Sequence, residues 1–113
     1  MAIQNLSMAA CAELLCRQMT IFGMSPQLLP TANFLAIYSR LQGESDYTLL
    51  TYGHYDVQPV DDQSSFDPWG AVIDNDRIYV RGAVDDKGAV MAALAAAAHA
   101  KNSSMICCCR VRT

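Results

Sequence analysis

Along residues 5–22, apolar side chains recur at spacings of three and four: Leu6, Ala9, Ala10, Leu14, Cys16 and the run from Met19 to Phe22. Glu13, Arg17 and Gln18 take the other side, which predicts an amphipathic helix. Ser7 is its candidate N-cap, Gly23 its stop, and Pro26 a block to continuation. A short extended piece is expected at 27–30. The stretch 33–41 holds Phe34, Leu35, Ile37, Tyr38 and Leu41, a composition that favours a β-strand. A polar turn at 42–46 separates it from a second apolar strand at 47–52, so the two read as an antiparallel hairpin. Leu49, Leu50 and Tyr52 suit a strand covered on both faces.

Residues 57–70 show no period and predict a loop, anchored by Phe66 and Trp69. Asp74-Asn75-Asp76 predicts a turn between short strands at 71–73 and 77–80. A helix follows at 86–101. It is rich in alanine, with Val90, Met91 and Leu94 as its larger apolar positions, and small side chains let it lie close to a sheet. Residues 102–113 differ in character. Positions 105–113 fit one more short strand or a tail foreign to the fold, and the sequence leaves both open.

At 113 residues the chain has the size of one small domain, and 52% hydrophobic against 17% charged residues argues for a core rather than disorder. The net charge of −3, without a basic block, gives no nucleic-acid surface. No apolar run approaches the roughly 18 residues of a membrane span. The first basic residue is Arg17, so a signal-peptide n-region is absent and a cytoplasmic protein is expected. The five cysteines, Cys11, Cys16 and Cys107 to Cys109, are odd in number and match no disulfide framework. Reduced thiols are expected. No C-x-x-C pair supports a thiolate metal site.

Two segments carry chemistry. The first is Gly53-His54-Tyr55-Asp56-Val57-Gln58-Pro59, at the end of an apolar strand. In an extended backbone His54 and Asp56 point to one side. A neutral imidazole binds zinc through one nitrogen, and its other N–H takes a carboxylate as acceptor. The second segment is Arg81-Gly82-Ala83-Val84-Asp85-Asp86-Lys87-Gly88, opening the Ala-rich helix. A helix N-cap needs one Asp, and two side by side exceed that need. A carboxylate with two oxygens can bridge two cations held about 3.5–4 Å apart. Either segment alone is weak, since His-x-Asp is common by chance and Asp-Asp-Lys-Gly fits a cap. Their succession is far more specific.

With both segments in place, residues 31–101 resemble the start of the catalytic domain of the dinuclear zinc amidohydrolases. That family includes acetylornithine deacetylase, succinyl-diaminopimelate desuccinylase, aminoacylase, carboxypeptidase G and carnosinase-like dipeptidases. The Asp-Val-Gln-Pro ending resembles the dipeptidase branch most, and the helix at 5–22 fits the domain's first helix. The resemblance implies an α/β fold, a partial zinc-exopeptidase-like domain whose mixed β-sheet carries helices on its faces. It implies two zinc ions as cofactor, with His54 as a ligand of one and Asp85 bridging both. Asp56 would orient His54, in the place the family reserves for an active-site residue. The Asp85–Asp86 bond is expected to be cis, with Asp86 and Lys87 holding the turn. The substrate class implied is a small peptide or N-acyl amino acid, with no nucleic acid and no membrane as partner.

The sequence also departs from the family. After Asp86 it contains no Asp and no Glu, so the family's Glu-Glu pair and later acidic ligand are missing. His99 is the only later histidine, fourteen residues past Asp85, or about 20 Å along a continuous helix. It reads as a polar residue near a helix end. The expectation is therefore an N-terminal piece of a catalytic domain over 1–101, with 102–113 a tail of uncertain status. Such a piece is expected to be inactive alone and to leave an apolar edge exposed. A second reading is a non-catalytic product that acts by association with another chain. A third, an unrelated small α/β binding module, requires both motifs to be coincidental.

Overall fold

A computed structural model describes residues 2–32, 34–43, 46–60, 65–102 and 111–112. Helix α1 spans Ala2–Ile21. It starts before the expected boundary, so Ser7 lies within the helix and is not its N-cap. Nothing in the preceding five residues breaks a helix. The buried face also differs from the expected one: Ala12, Leu15 and Met19 are buried, while Leu14 is 54% exposed. Apolar side chains occupy all sides of this helix, so spacing alone did not select the face. The stop at Gly23 is as expected. Gly23 has φ +77°, its N–H bonds Thr20 O at 2.9 Å, and the Met24 N–H bonds Met19 O at 2.9 Å. These two bonds make a Schellman motif, and Met19 and Met24 supply its apolar contact in the core.

Strands β1 (Gln27–Pro30) and β2 (Leu35–Tyr38) pair antiparallel, Gln27 opposite Tyr38 and Pro30 opposite Leu35. Thr31 closes their turn. Its hydroxyl donates to Phe34 O at 2.6 Å and accepts the Phe34 N–H at 3.2 Å. The hairpin expected between 33–41 and 47–52 is thus corrected: the partner of β2 is β1, because a short capped loop joins them. Strand β3 (Leu49–Leu50) instead pairs parallel with β6 (Val111–Arg112). Between them, β4 (Val72–Asp74) and β5 (Arg77–Tyr79) form the hairpin expected around Asp74-Asn75-Asp76. Asn75 and Asp76 have φ of 48° and 60°, a two-residue type I′ turn whose twist matches the strands.

Helix α2 spans Gly88–Asn102, two residues later than expected, because Ala83–Lys87 form a separate π turn. Leu94 and Ala98 are buried, and Leu94 joins Met19, Met24 and Leu41 in the core. Val90, Met91, Ala97, Phe22 and Ile37 pack around that cluster. Helix α2 connects the parallel strands β3 and β6, the crossover such pairing requires. The architecture is α/β, with its strands in three two-stranded ladders among the described residues.

The expected apolar exposure is present. Tyr47, Leu49, Leu50 and Tyr52 are all exposed, Tyr52 at 84%. The accessible surface is 8470 Å², against about 6,100 Å² for a compact monomer of this mass. Among the described residues no helix is long and apolar enough to cross a membrane. Cys11 and Cys16 are free thiols, half-buried on α1; Cys107 to Cys109 lie outside the described residues.

Candidate metal centre

The chain leaves β3 in extended form and reaches His54 four residues past the strand's carboxyl end. Ligands in open α/β sheets bind at that end. Alternation along 53–56 turns His54 and Asp56 to one side and Tyr55 to the other. The Tyr55 hydroxyl donates to Leu35 O of β2, which pins the segment to the first hairpin. Burial pushes the Tyr55 phenol up, with the nearby Cys11, Asp56 and Cys16 acting in the same direction.

On the opposite side the segment meets the 81–90 turn. A Cβ at Gly53 would lie 2.3 Å from Val90 Cγ2 and 2.9 Å from Asp86 Oδ2, so only glycine permits this approach. Gly82 makes the reciprocal one. It has φ +88°, and a Cβ there would lie 2.6 Å from Val57 Cγ1. The His54 N–H then donates to Asp86 Oδ2 at 3.2 Å. The Lys87 N–H bonds Gly82 O at 3.1 Å, closing the π turn around an extended Asp85. The Asp85–Asp86 peptide is cis.

These contacts put three of the singled-out side chains together. His54 Nδ1 lies 3.1 Å from Asp56 Oδ1, and His54 Nε2 lies 3.0 Å from Asp85 Oδ1. The ring nitrogens diverge, so Asp56 stands behind the imidazole and Asp85 in front. Two carboxylates accept from one ring, and only the imidazolium donates to both. Partial desolvation pulls the His54 pKa down. The hydrogen bonds to Asp85 and Asp56, and the charges of both, outweigh it and hold the pKa above its ordinary value. A cation in place of the Nε2 proton would satisfy His54 and Asp85 equally well, and the donor set suits zinc. His54 and Asp85 are thus the residues able to hold a metal. Among the described residues no group of three or more His, Cys, Asp or Glu converges on one ion. His99 is exposed in the last turn of α2, away from this cluster.

Three positioning residues, Gly53, Tyr55 and Gly82, stand in the two segments without a role that the sequence assigns. The strand alternation that pairs His54 with Asp56 also sends Tyr55 to the opposite face, and that was the available signal.

Residues 50–106 match the peptidase family M20/M25/M40. Succinyl-diaminopimelate desuccinylase of Gluconobacter oxydans is 42% identical over 73 residues, covering 65% of this chain and 18% of that protein. The Cys-Gly metallodipeptidase dug1 of Schizosaccharomyces pombe is 49% identical over 47 residues, 39% of this chain and 10% of the relative. The crystal structure of an M20 family metallo-carboxypeptidase from Sulfolobus solfataricus superposes with a TM-score of 0.86 at 35% identity. That match covers 93% of this chain and 24% of the carboxypeptidase. The chain spans a quarter or less of each of these proteins. Motif succession, crossover topology, strand-end cluster and these similarities agree, and the chain belongs to peptidase family M20/M25/M40.

Proposed function

We propose that residues 1–101 are the N-terminal part of a zinc-dependent catalytic domain that hydrolyses amide bonds of dipeptides or N-acyl amino acids. The observation that carries this reading is His54 held between Asp56 and Asp85. Asp56 fixes the ring and its Nδ1 proton, leaving Nε2 as the metal-binding nitrogen. Asp85 presents the facing carboxylate, in the place of a bridging ligand. Asp86 holds the His54 backbone by its N–H and sets the ring's height over the turn. Bound zinc would polarise the scissile carbonyl and acidify a bound water. Turnover also needs a general base, which contributes roughly 10²–10⁴-fold, and no Asp or Glu follows Asp86 to provide one. The 113 residues alone are therefore a metal half-site without turnover.

The test is zinc stoichiometry and affinity by calorimetry, with a dipeptide hydrolysis assay on the same sample. Weak binding through His54 without turnover is the expected result. Tight binding of two zinc ions with turnover would overturn the half-site reading. A second reading, a non-catalytic chain acting by association, is favoured by the exposed apolar side chains of 47–52.

A further inference from the structure

Helix α1, strand β2 and the stretch 51–56 border a cleft of about 490 Å³. Met8, Leu15 and Met19 line it from α1, Ile37 from β2, and Tyr52 and Gly53 from the segment that leads to His54. The lining is mostly apolar. Asp56, beside His54, is its one carboxylate, and no Lys or Arg borders it among the described residues. An apolar cleft does not by itself specify an occupant, but the backbone around this one does.

In the β1–β2 hairpin the Thr31 N–H bonds Phe34 O at 2.9 Å, and Pro30, which has no N–H, stands opposite Leu35. Hydrogen-bonded and non-hydrogen-bonded pairs alternate along an antiparallel ladder. Leu29 with Ala36 and Gln27 with Tyr38 are therefore the bonded pairs. Leu35 and Ile37 turn their N–H and C=O groups away from β1. That side faces the cleft, because the Tyr55 hydroxyl crosses to donate to Leu35 O. Ile37 is half-buried, yet its N–H and C=O have no hydrogen-bond partner on that side among the described residues. The backbone groups of Tyr52 and Gly53 are likewise unpaired among the described residues. Unpaired backbone groups held away from water are costly. Just before this stretch, Leu49 and Leu50 already pair with Val111 and Arg112 of β6, so the same run of chain forms a ladder where a strand is supplied.

We propose that this cleft takes an extended peptide segment of another protein as an added β-strand between β2 and the stretch 51–55. Backbone hydrogen bonds to Ile37 on one side and to Tyr52 or Gly53 on the other hold it, and its alternate side chains rest on Met8, Leu15 and Met19. The partner segment is uncharged and apolar at alternate positions, to suit that lining. It is about five residues long, since 51–55 spans roughly 16 Å at about 3.3 Å per residue. The surface goes beyond the function proposed above and needs neither metal nor catalysis.

The experiment titrates the ¹⁵N-labelled 113-residue chain, free of metal, with the capped peptide acetyl-Thr-Val-Thr-Val-Thr-amide and with the same peptide N-methylated at both valines. The two probes carry the same side chains and differ in two backbone donors. The first is expected to shift the amide signals of Ile37, Tyr52 and Gly53 and to slow hydrogen exchange at Ile37. The methylated peptide is expected to bind at least roughly tenfold more weakly, the loss of about two backbone hydrogen bonds. Equal binding of the two peptides overturns the proposal, because an apolar cleft without strand pairing does not distinguish them. So does unchanged exchange at Ile37 with the first peptide in large excess. Sedimentation of the free chain tests a second copy as the occupant: a dimer whose Ile37 amide is already protected also overturns the proposal. Calorimetric zinc titration of the same wild-type sample reports separately on His54 and Asp85. Peptide binding without zinc binding would sink the metal reading alone, and the converse would sink this one.

Discussion

The segment from residue 47 to residue 56 meets the rest of the chain in two ways. At its carboxyl end every residue from Gly53 to Asp56 is engaged. Gly53 abuts Val90, the His54 N–H bonds Asp86, the imidazole lies between two carboxylates, and Tyr55 reaches β2. At its amino end, Tyr47, Leu49, Leu50 and Tyr52 are large, apolar and exposed. The difference lies in what each end needs. Polar contacts are directional and short, so two segments of one chain, 53–57 and 82–90, close that end. A strand apolar at consecutive positions needs a covering layer on each face, and one helix pair cannot supply both. The His54 end is thus closed by contacts within the chain, while the apolar end lacks its cover among the described residues.

Substitutions at the two ends should separate sharply. The largest effect is expected at the imidazole. His54→Ala should abolish zinc binding measured by calorimetry, while His99→Ala should leave it unchanged. Equal loss from both variants would break the assignment of the metal to the strand end. Gly53→Ala comes next, at about 1–3 kcal/mol by denaturant titration, the usual range for overpacking. Val90→Ala in the same chain should return part of the loss, since Val90 Cγ2 is the nearest obstacle. No rescue would show that the approach of strand and helix is not what the glycine protects.

A smaller effect concerns pH. His54 has a folded pKa above its ordinary value. The stability it contributes through the two carboxylates is therefore fully present below the unfolded value, about 6.5, and is lost as pH rises through the raised folded value. Asp56 and Asp85 are 65% and 78% exposed, so solvent screens the pairs and the contribution is small. An NMR titration of the His54 ring in the metal-free chain should give a midpoint above 6.5, and Asp85→Asn should lower it. An unshifted wild-type midpoint would contradict the geometry. The smallest effect is expected at the apolar end. Tyr52→Ser should change stability by less than about 0.5 kcal/mol, as at exposed positions generally, while reducing self-association in sedimentation. A large destabilisation would mean that Tyr52 is covered in solution.

Parts of this fold were legible because their signals are local. Gly23 before Pro26 marked the end of α1, Asp74-Asn75-Asp76 marked a turn between two short strands, and the Ala-rich run with Val90, Met91 and Leu94 marked α2. The buried face of α1 was not legible, because Leu14 and Leu15 are equally apolar and only the neighbours decide between them. Strand pairing was not legible either. The sequence pointed to pairing of 33–41 with 47–52, whereas the structure pairs Gln27–Pro30 with Leu35–Tyr38. Thr31 tipped the balance by capping the shorter turn.

The sequence by itself determined which groups carry chemistry: an imidazole with a carboxylate two residues on, and a second carboxylate beside a glycine-flanked turn. Spacing within an extended strand fixes side-chain direction, so His54 and Asp56 were bound to share a face wherever the strand went. Tertiary structure alone decided that Asp85, thirty-one residues from His54, lies across the ring from Asp56. It also decided that Asp86 accepts the His54 backbone N–H beside the ring. Those placements depend on Gly53 and Gly82 letting two backbones approach, a contact between distant segments that no local pattern records.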